Sequence, residues 1–142
     1  MSLFYQIADE MESMLSALPA LAGLAIVSDR QREIGEELVK AMRKQSGKGL
    51  LVITWVSATN EDPECEGPRL RSDYTLTLFS KPVLRGGGTP ADDLIETILR
   101  AVHHWRPTIA HTHYKATAEG VVPVDHPELL VQRMTLNVIT QL

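Results

Sequence analysis

The chain's clearest pattern is its last one. From Leu130 to Leu142, apolar residues Leu130, Met134, Leu136, Val138 and Leu142 share one parity, while Arg133, Thr135, Asn137 and Gln141 fill most of the other. A period of two predicts a strand with one buried and one polar face, so residues 129–142 should close the fold inside a sheet. Helical spacing dominates at the other end. Phe4, Ile7, Ala8, Met11, Met14, Leu15 and Leu18 recur every three or four residues, predicting a helix capped by Ser2 and ended by Pro19.

Between these ends the pattern changes several times. Leu24-Ala25-Ile26-Val27 is a short apolar run suited to a brief buried strand. Asp29 can cap a second helix through Gln45, with Ile34, Leu38, Ala41 and Met42 inward and Gly47 at its left-handed end. Gly35 weakens that helix by up to ~1 kcal/mol relative to Ala. Leu50–Ala58 is apolar on both parities, the mark of a central strand covered at least partly on both sides. Leu70–Ser80 alternates again, with Tyr74, Leu76 and Leu78 opposite Arg71, Asp73, Thr75 and Thr77. The acidic, proline-bearing Thr59–Pro68 should be an exposed loop joining these two strands into a hairpin. After Arg85-Gly86-Gly87-Gly88, Thr89 and Pro90 open a third helix with Asp92 and Asp93 in its first turn. Its stripe is Leu94, Ile95, Ile98, Leu99, Val102 and Trp105, and Pro107 stops it. Thr108–Ala118 has weaker strand character, and Glu119–Pro127 reads as a turn-rich connection.

The predicted order is α-β-α-β-β-α-β-β. It implies one α+β domain over residues 1–142, a two-layer sandwich with a mixed, mainly antiparallel sheet and about three helices on one face. The other face would carry Thr75, Thr77, Thr135 and Asn137 among Phe79 and Ile139. Such a face is either solvated or partly covered by a second copy or another partner.

Composition narrows the class. At 142 residues and 44% hydrophobic, the chain can bury a real core without staples. One cysteine, Cys65, excludes an internal disulfide and fits a reducing compartment. No stretch is apolar enough to suggest a membrane span, and Asp9, Glu10 and Glu12 argue against a signal peptide. A net charge of −4 argues against a protein that coats nucleic acid. The basic residues Arg30, Arg32, Lys40, Arg43, Lys44 and Lys48 sit among Glu33, Glu36 and Glu37, as on an ordinary solvated helix.

Candidate chemistry is sparse. His111 and His113, two apart on a strand, would point to one side roughly 6.5–7 Å apart, within reach of one zinc. A third ligand would have to come from His103, His104, Asp125 or His126 through the fold. The simpler reading is polar residues on a sheet face or edge. His103 and His104 end a helix, where imidazolium meets the carbonyl end, but consecutive helical residues point about 100° apart and cannot share a ligand. Gly86-Gly87-Gly88-Thr89-Pro90 is a poor phosphate loop, because Pro90 removes a donor and Asp92 and Asp93 repel anions. Cys65 lies among Glu61, Asp62, Glu64 and Glu66, which disfavours a thiolate. That acidic cluster lacks the ligand spacing of a calcium loop. No catalytic, cofactor-binding or metal residue is assigned, and an enzyme is not expected.

An acidic α+β chain with an opening helix and a closing strand resembles the tail terminator and tail completion (minor tail) proteins of long-tailed phages and prophages. The matching segments are the helix Leu3–Leu18, Asp73-Tyr74-Thr75-Leu76-Thr77-Leu78-Phe79, the helix beginning Asp92-Asp93-Leu94-Ile95, and Leu130–Leu142. The resemblance implies a structural virion protein, assembled in the host cytoplasm. It also implies a homo-oligomer, usually a six-fold ring in such proteins, at the end of the tail tube, facing the head-side connector. No cofactor, membrane or sequence-specific nucleic acid is implied. The alternative is a non-phage α+β adaptor or small-molecule binding domain.

Overall fold

The computed structural model describes residues 2–29, 34–43, 48–64, 66–81, 91–109 and 114–142. Helix α1 spans Leu3–Ser16, capped by the Ser2 hydroxyl, which accepts from the Phe4 N–H at 3.3 Å. It stops short of the expected Leu18. The reason is local: a residue before proline is driven out of the helical region, and Leu18 is extended, at φ −78° and ψ 123°. A single 3-10 turn, Pro19–Leu21, then leads into β1, Leu24–Ser28. Helix α2 follows at Ile34–Arg43, then β2 at Gly49–Asn60, β3 at Arg69–Ser80 and α3 at Ala91–Val102. Strands β4, Thr117–Val124, and β5, Leu130–Gln141, complete the order, which matches the sequence expectation.

The five strands form one sheet in the order β1-β2-β3-β5-β4, parallel at β1/β2 and antiparallel elsewhere. The protein is therefore α+β with a mixed, mainly antiparallel sheet. The register explains the alternation. Leu76 pairs with Met134 and Tyr74 with Leu136 on what we call the front face, while Thr75 pairs with Thr135 and Asp73 with Asn137 on the back. On the front, Ile7, Met11 and Leu15 of α1 and Leu94 and Ile98 of α3 close over Leu51, Ile53, Tyr74, Leu76, Met134 and Leu136.

Helix α2 corrects the expectation that all three helices share a face. Its Ala41, with Ile34, Leu38 and Met42, packs on Val27, Leu50 and Val52, which alternate with the front-facing Ile26, Leu51 and Ile53. Thus α1 and α3 form one layer, and α2 covers one end of the other face. A parallel pair needs a crossover, and α2 supplies it. The first half of β2 is consequently buried on both sides, as its two-parity apolar run predicted.

Further corrections concern where elements begin and end. Helix α3 ends at Val102 rather than Trp105, where His104 takes a left-handed conformation at φ 66°. The last strand before β5 lies at Thr117–Val124, sharing only Thr117 and Ala118 with the expected strand and running mostly through the segment that reads as turn-rich. Gly120 and Pro123 look like turn signals, but an outer strand tolerates both, and a register shift between Ala118 and Gly120 absorbs one residue. The hairpin strands also reach further than expected, to Asn60 and from Arg69, and of the described residues between them 61–64 and 66 are exposed. The Thr89 and Pro90 start signal and the Asp29-to-Gln45 helix ends fall largely outside the described residues.

The C-terminal residue is tied in. Leu142 N–H donates to Pro68 O, and the Gln141 side chain donates to Gly67 O, both at 3.0 Å. Ser72 and Thr140 occupy front-face core positions with 0% exposure. Their hydroxyls have no hydrogen-bond partner among the described residues.

Two measurements check this account. Gly49 sits at φ 130°, and a Cβ there would collide with the Phe79 carbonyl oxygen. Gly49→Ala should therefore destabilise the fold by roughly 2–3 kcal/mol in urea denaturation. Tyr74 is fully buried, its hydroxyl donates to Phe4 O at 2.8 Å, and burial drives its phenol well above the usual range. A raised folded pKa leaves stability intact below the unfolded value, about 10, and erodes it as pH climbs beyond that, because only the unfolded chain ionises. Stability should decline with pH above about 10, and Tyr74→Phe should flatten that decline.

Candidate functional site

The surfaces left open by this packing are the candidate site. The outer strands differ sharply. Strand β1 is nearly all buried, lying at the margin where α1 and α2 cover opposite faces. Strand β4 is mostly exposed along its length, with Val122 at 61%. An outer strand presents unpaired backbone donors and acceptors, and Pro123 removes one of those donors. The exposed edge is thus partly blunted.

Beyond α2, the back face is a set of cross-strand rows read from the register. One row runs Val52, Thr77, Arg133, Val122; the next runs Thr54, Thr75, Thr135, Gly120. Opposed threonines support the sheet modestly and keep their own row uncharged. Besides the exposed Arg133, charge appears one row on. Arg71 pairs with Asp73 at 3.4 Å and Glu119 at 3.2 Å, and Asn137 donates to the same Glu119 carboxylate. This network spans β3, β5 and the irregular point of β4.

On the front side, a groove of about 410 Å³ runs between α3 and β4, lined by Leu99, Arg100, His103, Ala118, Glu119, Gly120 and Val121. Here the left-handed His104 brings α3 against the start of β4. His104 N–H donates to Ala116 O at 2.8 Å, Ala116 N–H to Trp105 O at 2.6 Å, and Ala118 N–H to the His103 Nδ1 at 3.2 Å. The His103 and His104 rings stack with centroids 3.9 Å apart. A separate aromatic group sits at the start of α1, where Phe4 stacks flat on Trp55 at 4.6 Å and Tyr5 meets Trp55 edge-on.

The residues singled out in sequence are placed unevenly. His103 and His104 follow directly on the end of α3 at Val102, and their hydrogen bonds with Ala118 of β4 and with Ala116 just before it are what sequence spacing could not reveal. His126 caps the turn before β5, its Nδ1 accepting from the Glu128 and Leu129 N–H groups at 3.1 and 3.0 Å. Glu61 pairs loosely with Arg69 at 3.8 Å within an exposed loop, and Asp62 N–H donates to the Asn60 side chain. Cys65, Gly86–Pro90 and the His111/His113 pair lie outside the described residues. Among the described residues, no three potential metal ligands gather, and no helix is long and apolar enough to cross a membrane.

By fold the chain is an α+β protein. No protein-family model matches it, and a search of curated proteins returns no match.

The Arg71 network is half-exposed, with side-chain exposures of 28–42%, so its ion pairs are screened. Arg71→Ala should lower stability by no more than about 1 kcal/mol, measured by chemical denaturation with Asp73→Asn as the comparison.

Proposed function

We propose that this chain is a structural assembly protein of the tail terminator or tail completion kind, acting through contacts between copies at the end of a phage tail tube. In this reading it works by shape and surface, with no chemical step, and meets the tube on one side and the head-side connector on the other. The observation that carries it is the asymmetry of the sheet: β1 is sheltered while β4 is exposed. A ring is built head to tail, one surface of a copy meeting a different surface of the next, and an asymmetric sheet suits that contact better than a self-paired one. The half-covered back face offers semi-polar area of the kind found in non-obligate interfaces.

A second reading, small-molecule binding, draws on the groove between α3 and β4, whose volume of about 410 Å³ falls in the range of ligand sites. Two of its polar groups, His103 Nδ1 and the Glu119 carboxylate, are already engaged within the protein. That leaves it the weaker reading.

Light scattering of the purified protein should report a closed oligomer, and electron microscopy with phage tail tubes should show capped ends. Val122→Lys, at an exposed position where substitution shifts stability by only about 0.5 kcal/mol, should abolish both while leaving the circular dichroism spectrum unchanged. A monomer at all concentrations together with uncapped tubes would remove the proposal.

A further inference from the structure

Two of the described histidines hold opposite ends of the exposed strand by the same device. At the start of β4, the His103 Nδ1 accepts the Ala118 N–H at 3.2 Å. Past its end, the His126 Nδ1 accepts the Glu128 and Leu129 N–H groups at 3.1 and 3.0 Å, closing the turn that joins β4 to β5. An imidazole nitrogen accepts only through a free lone pair, so each of these bonds requires a neutral ring with its proton on Nε2. Protonation places a hydrogen on Nδ1. The acceptor becomes a donor aimed at a backbone N–H, and the bond is lost.

We propose that His103 and His126 form a pH-sensitive latch on β4, closed when both imidazoles are neutral and released when they protonate. The charged surroundings bear on each end differently. The His103 groove is also lined by Arg100 of α3, which pairs with Glu96, and by Glu119 of β4, which pairs with Arg71. The stacked His104 ring adds a repulsion when both rings are charged. Asp125 and Glu128 flank His126 in the turn. Acidification that protonates both imidazoles therefore loosens both ends of the strand. The sheltered β1 has no such device among the described residues, so the response is confined to the exposed side of the sheet. This inference stands apart from the assembly reading, since it concerns how β4 is held and not what binds it.

The test is amide hydrogen exchange by NMR on the full chain, with rates corrected for the intrinsic effect of pH. Between pH 7.5 and 5.0, protection of Ala118, Glu128 and Leu129 should fall roughly two- to tenfold per bond lost, while β3 amides keep theirs. In the double variant His103→Asn, His126→Asn, a side-chain oxygen replaces Nδ1 and does not titrate, so protection should stay level across the same range. Unchanged wild-type protection, an equal loss in β3, or the same loss in the double variant would overturn the latch. A readout on the unmodified protein guards against misfolding of that variant: imidazole ¹⁵N shifts at pH 7.5 should show an unprotonated Nδ1 on both residues. A proton on Nδ1 of either ring would equally overturn it.

Discussion

The structure depends on four consecutive residues of β2, Leu50 to Ile53, all at 4% exposure or less. Because side chains alternate across a strand, Leu51 and Ile53 enter the front core under α1, while Leu50 and Val52 enter the back core under α2. One short run thus joins two hydrophobic clusters on opposite sides of one sheet. Each fully buried aliphatic side chain contributes roughly 1.5–3 kcal/mol, so this run weighs as much as any single helix face. A one-residue slip of β2 would exchange the two sets and bring both cores into conflict at once. The register that aligns β3, β5 and β4 is propagated from that position outward.

From this keystone the sheet becomes progressively less covered. Near β1 and β2 both faces are buried. At β3 and β5 the front is core and the back is threonine and half-exposed charge. At β4 even the backbone is open on one side. Among the described residues, that last strand is held by the antiparallel ladder to β5, the Arg71–Glu119 pair, the His103 acceptor, the His126 acceptor in the following turn, and the front-side packing of Ala118 and Val121. Regions held by few buried apolar contacts sit at the low end of local stability, where binding and switching elements are drawn from. The assembly reading and the histidine latch both concern this uncovered margin for that reason.

Sequence and structure agree where periodicity is enforced by burial. The parity of Leu76 and Met134 against Thr75 and Thr135 is legible because a face that alternates between core and solvent leaves no other solution. The same holds for the stripe of α1 and for the two-parity run in β2. They part company where burial is weak. Strand β4 carries Val121, Val122 and Val124 around Gly120 and Pro123, with no consistent alternation, since an outer strand exposed on its back and margin demands none. Of the candidate site, His103 was legible as a helix end, but its acceptor role toward Ala118 was not, because that partner arrives through a chain reversal.

The chain's own pattern determined which residues are apolar together, the order of its helices and strands, and the terminal strand that ends in the sheet. Those properties are local, set by the 3.6- and 2-residue periods. Tertiary structure alone decided which face α2 covers, since an amphipathic stripe fits either side of a sheet equally well until the β1 to β2 crossover is made. It also decided which strand stays open and which imidazoles hold it. These choices depend on how distant segments meet, and no periodicity in one segment encodes the position of another.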